Sequence, residues 1–135
     1  MSARESRMSA RDVVERAQQA RAFLLLATIA SGDPLIAGGT NVAGSNAVLA
    51  GIAASDAICG HTIGVRAAGG AHEEAITLLQ RATPPGARAS IHLKRLLSSK
   101  TDTQYSAHIV SKAKALELLR SAEKLIAEME SLLRT

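Results

Sequence analysis

The chain has 135 residues, 47% of them apolar, with one Phe, one Tyr and no Trp. That is material for one core, built from aliphatic side chains and close Ala and Gly surfaces, which favours helices packed on helices over a sheet. A lone cysteine, Cys59, excludes an internal disulfide, no CxxC pair is present for zinc, and the net charge of +4 is modest.

Residues 1–8 are expected to be a flexible lead into a single domain over 9–135. Ser9 followed by Asp12 forms a capping-box-like start. Val13, Val14, Ala17, Ala20, Leu24 and Leu25 then recur at three- and four-residue steps. "SGDP" at 31–34 ends this first helix, with a glycine at its C-terminus and a proline behind it. Its apolar run, Ala22 to Ala30, is too short to cross a bilayer. Glu5, Asp12 and Glu15 interleave with the arginines ahead of it, which speaks against a secretion signal.

A second helix is expected from Thr40 or Asn41 to about His61. Its many alanines, glycines and serines predict close backbone approach, and a helix apolar almost all round belongs at the centre of a bundle. A third helix follows from about His72 to Ala82 and is broken by "TPPG". A fourth spans roughly Gly86 to Ser98. The polar stretch "SSKTDTQYSAHIVS" has no clear conformation. The last helix, Lys112 to about Leu133, begins after a Ser111 cap. It carries one stripe of Ala115, Leu118, Leu119, Ala122, Leu125, Ile126, Met129 and Leu132, with Lys124–Glu128 and Glu130–Arg134 at i,i+4 on its wet side. The fold class is therefore all-α, an antiparallel up-and-down bundle of about five helices.

Six basic residues between Arg81 and Lys112 face one acid, Asp102. Such a segment is either a solvated helix face or a surface that meets a phosphate or polyanion. No aromatic residues interleave the charges as stacking platforms for single strands. Asp56 stands out in the most apolar helix, because a buried carboxylate requires a cation or several donors. Arg66, His61, His72 and Lys100 are its candidate partners. His61, His72, His92 and His108 lack the spacing that places two metal ligands on one helical face, so no metal and no cofactor are expected. The segment "VRAAGGAHEEA" at 65–75 reads as a corner between helices, with Glu73 and Glu74 suited to the first turn of the third one. Arg66 and His72 within it also match Arg-x5-His, a spacing that eleven arginines and four histidines produce by chance.

"LLSSKTDTQY", a short polar link and the helix "SKAKALELLRSAEKLIAEME" together resemble the HEPN superfamily of helical bundles, and the similarity extends more weakly back to "NAVLAGIAASDAICG". The resemblance implies an up-and-down bundle, commonly dimeric. It is either a metal-independent ribonuclease with an Arg–His motif, or a non-catalytic form that binds nucleotides or accompanies nucleotidyltransferases and toxin–antitoxin systems. Where the ribonucleases carry Arg and His, this chain has Lys100 and Tyr105. Lysine offers no bidentate fork to phosphate, and tyrosine is a poor general base at neutral pH. The sequence thus points to a cytoplasmic, non-catalytic module with no membrane partner. It is expected to form a homodimer through the small-residue helix or its neighbours. A nucleotide, RNA or other phosphate-bearing ligand would be held by Asp56, Arg66, His72, Lys100 and Tyr105, and a partner protein is a further expectation. The alternatives are a ribonuclease using His72 as base and Arg66 on the phosphate, and a pure protein–protein interaction module.

Overall fold

A computed structural model describes residues 4–135, and they form a mostly helical domain. The chain begins with strand β1 (Glu5–Arg7), followed by helices α1 (Ala10–Gly32) and α2 (Gly39–Ile63). Strand β2 (Val65–Ala67) and helices α3 (His72–Ala82), α4 (Ala89–Ser98), α5 (Lys100–Gln104) and α6 (Lys112–Leu133) complete it.

The capping box forms as its spacing predicts. The Ser9 hydroxyl accepts from the Asp12 amide at 3.1 Å, and the Asp12 carboxylate accepts from the Ser9 amide at 2.8 Å. The other end of α1 falls at Gly32, as "SGDP" predicts, but no left-handed cap closes it. Gly32 is the last helical residue, and Asp33 is extended at φ −99°, ψ 108°, the conformation that a following proline imposes. The Asp33 side chain then accepts from the Leu35 amide at 2.9 Å and shapes the turn.

α2 is the axis of the fold. From Ala47 to Gly60 every position except Leu49 and Ile52 is buried, and the helix touches each of the other five. It is long and apolar enough to cross a membrane, yet most of that surface is covered by its own chain, as in a core helix. Glycine permits this, most clearly at Gly44 and Gly51. A Cβ at Gly44 would lie 2.7 Å from Thr103 Cγ2, and one at Gly51 would collide with Leu96 and touch Leu125. The small-residue surface expected to meet a second copy is thus occupied by α4, α5 and α6.

α6 buries the predicted stripe from Ala115 to Met129, starting from a Ser111 hydroxyl that accepts from the Lys114 amide at 3.1 Å. Its expected Glu130–Arg134 pairing is replaced. Arg21 of α1 donates to both Glu130 oxygens, with its terminal nitrogen 2.5 Å from one of them.

Two elements were not expected. One is α5, a single turn in the polar stretch, where only Thr103 is buried. With it the described residues form six helices rather than about five. The other is an antiparallel ribbon that pairs Glu5 with Ala67, Ser6 with Arg66 and Arg7 with Val65. Hydrogen bonds from the Met8 amide to the Gly64 carbonyl and from the Ala68 amide to the Arg4 carbonyl extend it. Residues 5–7, assigned by sequence to a flexible lead, are therefore paired backbone, whereas residues 1–3 lie outside the described residues. The corner at 65–75 begins with this strand, after Gly64 has closed α2 in the left-handed region at φ +74°.

Candidate functional site

The ribbon lays Arg7 and Arg66 beside the first turns of α1. A cleft of about 450 Å³ opens there, lined by Arg7, Met8, Asp12, Glu15, Arg16, Gln19 and Arg66. Most of its polar groups already have partners. The Asp12 carboxylate caps α1 and is held below the ordinary range, chiefly by the Ser9 amide, with Arg11 and Arg66 adding smaller attraction. Glu15 accepts from Arg11 at 3.0 Å. Arg16 donates through Nε to Asp56 Oδ2 at 2.9 Å and through a terminal nitrogen to Gln19 Oε1 at 2.5 Å.

Two guanidinium groups remain. Among the described residues, no carboxylate lies within ion-pair distance of Arg7 or Arg66, and Arg66 makes only a long 3.4 Å contact to the Ala67 carbonyl. A guanidinium with its donors unspent, facing a polar cleft, is suited to bidentate contact with a phosphate or carboxylate.

Asp56 sits behind this cleft in α2, buried. Desolvation pushes its pKa up, against the opposing pull of Arg16 and then Arg66. Its partner is Arg16, which was not among the four candidates proposed from sequence. The chain order contains a usable signal. α1 and α2 are antiparallel about a turn near position 36, and Arg16 and Asp56 each lie 20 residues from it. The pair fixes the Arg16 side chain at the cleft wall.

The five site residues expected from sequence do not come together. Asp56 and Arg66 share this region. His72 is the exposed first residue of α3 and is not part of the cleft lining. Lys100 opens α5 and Tyr105, 74% exposed, follows it. α5 packs where Thr103 meets Gly44, twelve residues before Asp56 on α2, which is about 18 Å along the helix at 1.5 Å per residue. The uncommitted Arg7 was also missed, because it becomes visible only when the ribbon pairs it with Val65. Among the described residues, no three His, Cys, Asp or Glu side chains gather to hold a metal ion. Comparison of the chain with family models, curated proteins and solved structures finds no match.

Proposed function

We propose that this protein is a non-catalytic binding module for a nucleotide or another phosphate-bearing ligand, with the phosphate held in the α1–ribbon cleft. The observation that carries the reading is the pair of guanidiniums without an ion-pair contact among the described residues, Arg7 and Arg66, beside an Arg16 already oriented by Asp56. In this arrangement Arg66 and Arg7 grip the phosphate and Asp56 acts at one remove, by holding Arg16. The HEPN-type assignment, with a role accessory to a partner protein, rests on Lys100 and Tyr105 standing ahead of the long α6. A ribonuclease would need Arg66 and His72 on one phosphate.

The test is thermal unfolding with added ATP, AMP, adenosine and inorganic phosphate. Ligand at about a hundred times Kd stabilises the fold by about 2.7 kcal/mol, so a bound nucleotide raises Tm with the logarithm of its concentration above Kd, and adenosine leaves Tm unchanged. Arg66→Ala and Arg7→Ala should each abolish most of the shift, whereas Lys100→Ala, at the far end of α2, should retain it. Absence of a shift with any phosphate compound would refute the reading. So would RNA cleavage that survives chelator and disappears in His72→Ala.

A further inference from the structure

At the end of α1 away from the arginine cleft, the outward face is apolar and uncovered. Leu25, Leu26 and Ile29 are 60%, 52% and 51% exposed, with Ala22 beside them. They lie opposite the buried stripe of Val13, Ala17, Ala20, Ala27 and Ala30 that faces the core. Large apolar side chains normally occupy the inward face of a surface helix; here alanines hold most of its fully buried positions, beside Val13 and the half-buried Phe23 and Leu24, and three large side chains are left outside. Asp33 is the only charged residue between Arg21 and Asp56.

The polar groups bordering this face are already engaged. Arg21 is drawn to Glu130 on α6, and the Thr28 hydroxyl donates to the Leu24 carbonyl at 2.9 Å. The stripe is also symmetric in sequence. About a midpoint between Leu25 and Leu26, position 22 mirrors 29 and 25 mirrors 26. A two-fold axis there, with two α1 helices antiparallel, sets Leu25 against Leu26 and Ala22 against Ile29, twice over, and no charge enters that central contact; at its ends the axis sets Gln18 against Asp33 and Glu15 against Ile36. The same operation carries Val14, 53% exposed, toward the turn of the other copy that holds the exposed Leu35 and Ile36.

We propose that the occupant of this face is a second copy of the chain, docked through antiparallel α1 helices about that axis. The exposed apolar side chains amount to a few hundred Å², comparable to the largest apolar patch on a typical monomer, which often serves a function. With the flanking Gln18 and Gln19 as a polar rim, they form the apolar centre of an interface that takes about 800 Å² from each partner. A bilayer surface fits the face less well, because helices that lie on lipid carry Lys and Arg along their flanks. Here Arg11 is paired with Glu15 and Arg21 with Glu130, while Gln18, Gln19 and Asp33 supply no cation. The apolar centre, Leu25, Leu26 and Ile29, lines no part of the phosphate cleft and meets it only at Glu15 and Gln19, so variants at the centre test the dimer independently of that site.

Sedimentation of the full chain across micromolar concentrations should give twice the 14.0 kDa monomer mass. Leu25→Glu should weaken the dimer roughly thirtyfold or more, the scale of a central interface residue, with an unchanged circular dichroism spectrum because the position is exposed. Ile29→Glu provides an independent repeat should Leu25→Glu misfold. Under mild oxidation the double variant Ala22→Cys with Ile29→Cys should form a covalent dimer, and neither single variant should. Seven residues apart, the two new cysteines are about 10 Å apart along one helix, beyond the roughly 7 Å limit for a disulfide within the chain. Native Cys59 stays out of the reaction, since it is buried and its thiol is pushed up to about 12 by desolvation. A monomer at all concentrations, a dimer indifferent to both glutamates, a cross-link in Ala22→Cys alone, or a monomer that co-sediments with anionic vesicles would each overturn the proposal.

Discussion

Replacing Arg16 by methionine removes the one ion-pair partner of the buried Asp56 and retains most of the packing of the stem. Removing one member of a buried pair costs about 3–5 kcal/mol, because the other charge is left without compensation. Two facts move this chain below that range: the Arg16 side chain is 27% exposed, and Arg66 still attracts the carboxylate. The expected loss is about 2–3 kcal/mol, or about 8–12 °C in Tm for a domain of this length. The loss should also depend on pH. Burial holds the folded-state pKa of Asp56 above its ordinary 3.8, so this group favours the fold most below that value, and the benefit is lost as pH rises through the folded pKa. Without Arg16 the folded pKa rises further and the window extends upward. The deficit of Arg16→Met relative to the parent protein should therefore shrink as pH falls from 7 toward 4. Urea unfolding of both proteins at several pH values, with the m-value checked for constancy, measures this directly. Replacing the pair together, Arg16→Met with Asp56→Leu, should come close to the parent stability, since an apolar pair of similar volume avoids the desolvation cost. A deficit below about 1 kcal/mol at pH 7, or one independent of pH, would refute the argument that Arg16 is what sustains the buried charge.

The close approach at Gly51 predicts that Gly51→Ala destabilises by about 1–2 kcal/mol, since its Cβ meets the buried Leu96 side chain, although alanine is the better helix former. Gly32→Ala, with open space around it and a φ that is not positive, should instead stabilise by about 0.5–1 kcal/mol; equal effects in denaturant titrations would remove the packing argument. His92 is buried on α4 with an unpartnered Nδ1. Burial, followed by repulsion from Lys124, Arg95 and Arg88, keeps its pKa below the ordinary 6.5. The fold should therefore lose stability as pH falls below 6.5, and His92→Leu should flatten that part of the Tm–pH curve.

The helices that carry their own start signals and an unbroken apolar period could be read from sequence. Ser9 with Asp12, Ser111, and the stripe from Ala115 to Met129 act over one to three turns, so local composition determines them. The central place of α2 could also be read, because a helix of small apolar residues has no wet face to offer. The β1–β2 ribbon could not, since three residues are too few to show alternation, and Glu5-Ser6-Arg7 is polar throughout. α5 is held by one buried threonine methyl against Gly44 rather than by any period of its own. The side chains of the cleft depended most on tertiary structure. Asp56 declared its need for a cation, but four candidates were open, and only the antiparallel packing of α1 on α2 selects Arg16, forty residues away. In the same way Glu130 has Arg134 one turn along its own helix and binds Arg21, 109 residues distant, because a neighbouring helix presents its guanidinium across the groove. Caps and stripes are short-range and written in local order, whereas ion pairs and clefts are made by whichever surfaces the packing brings face to face.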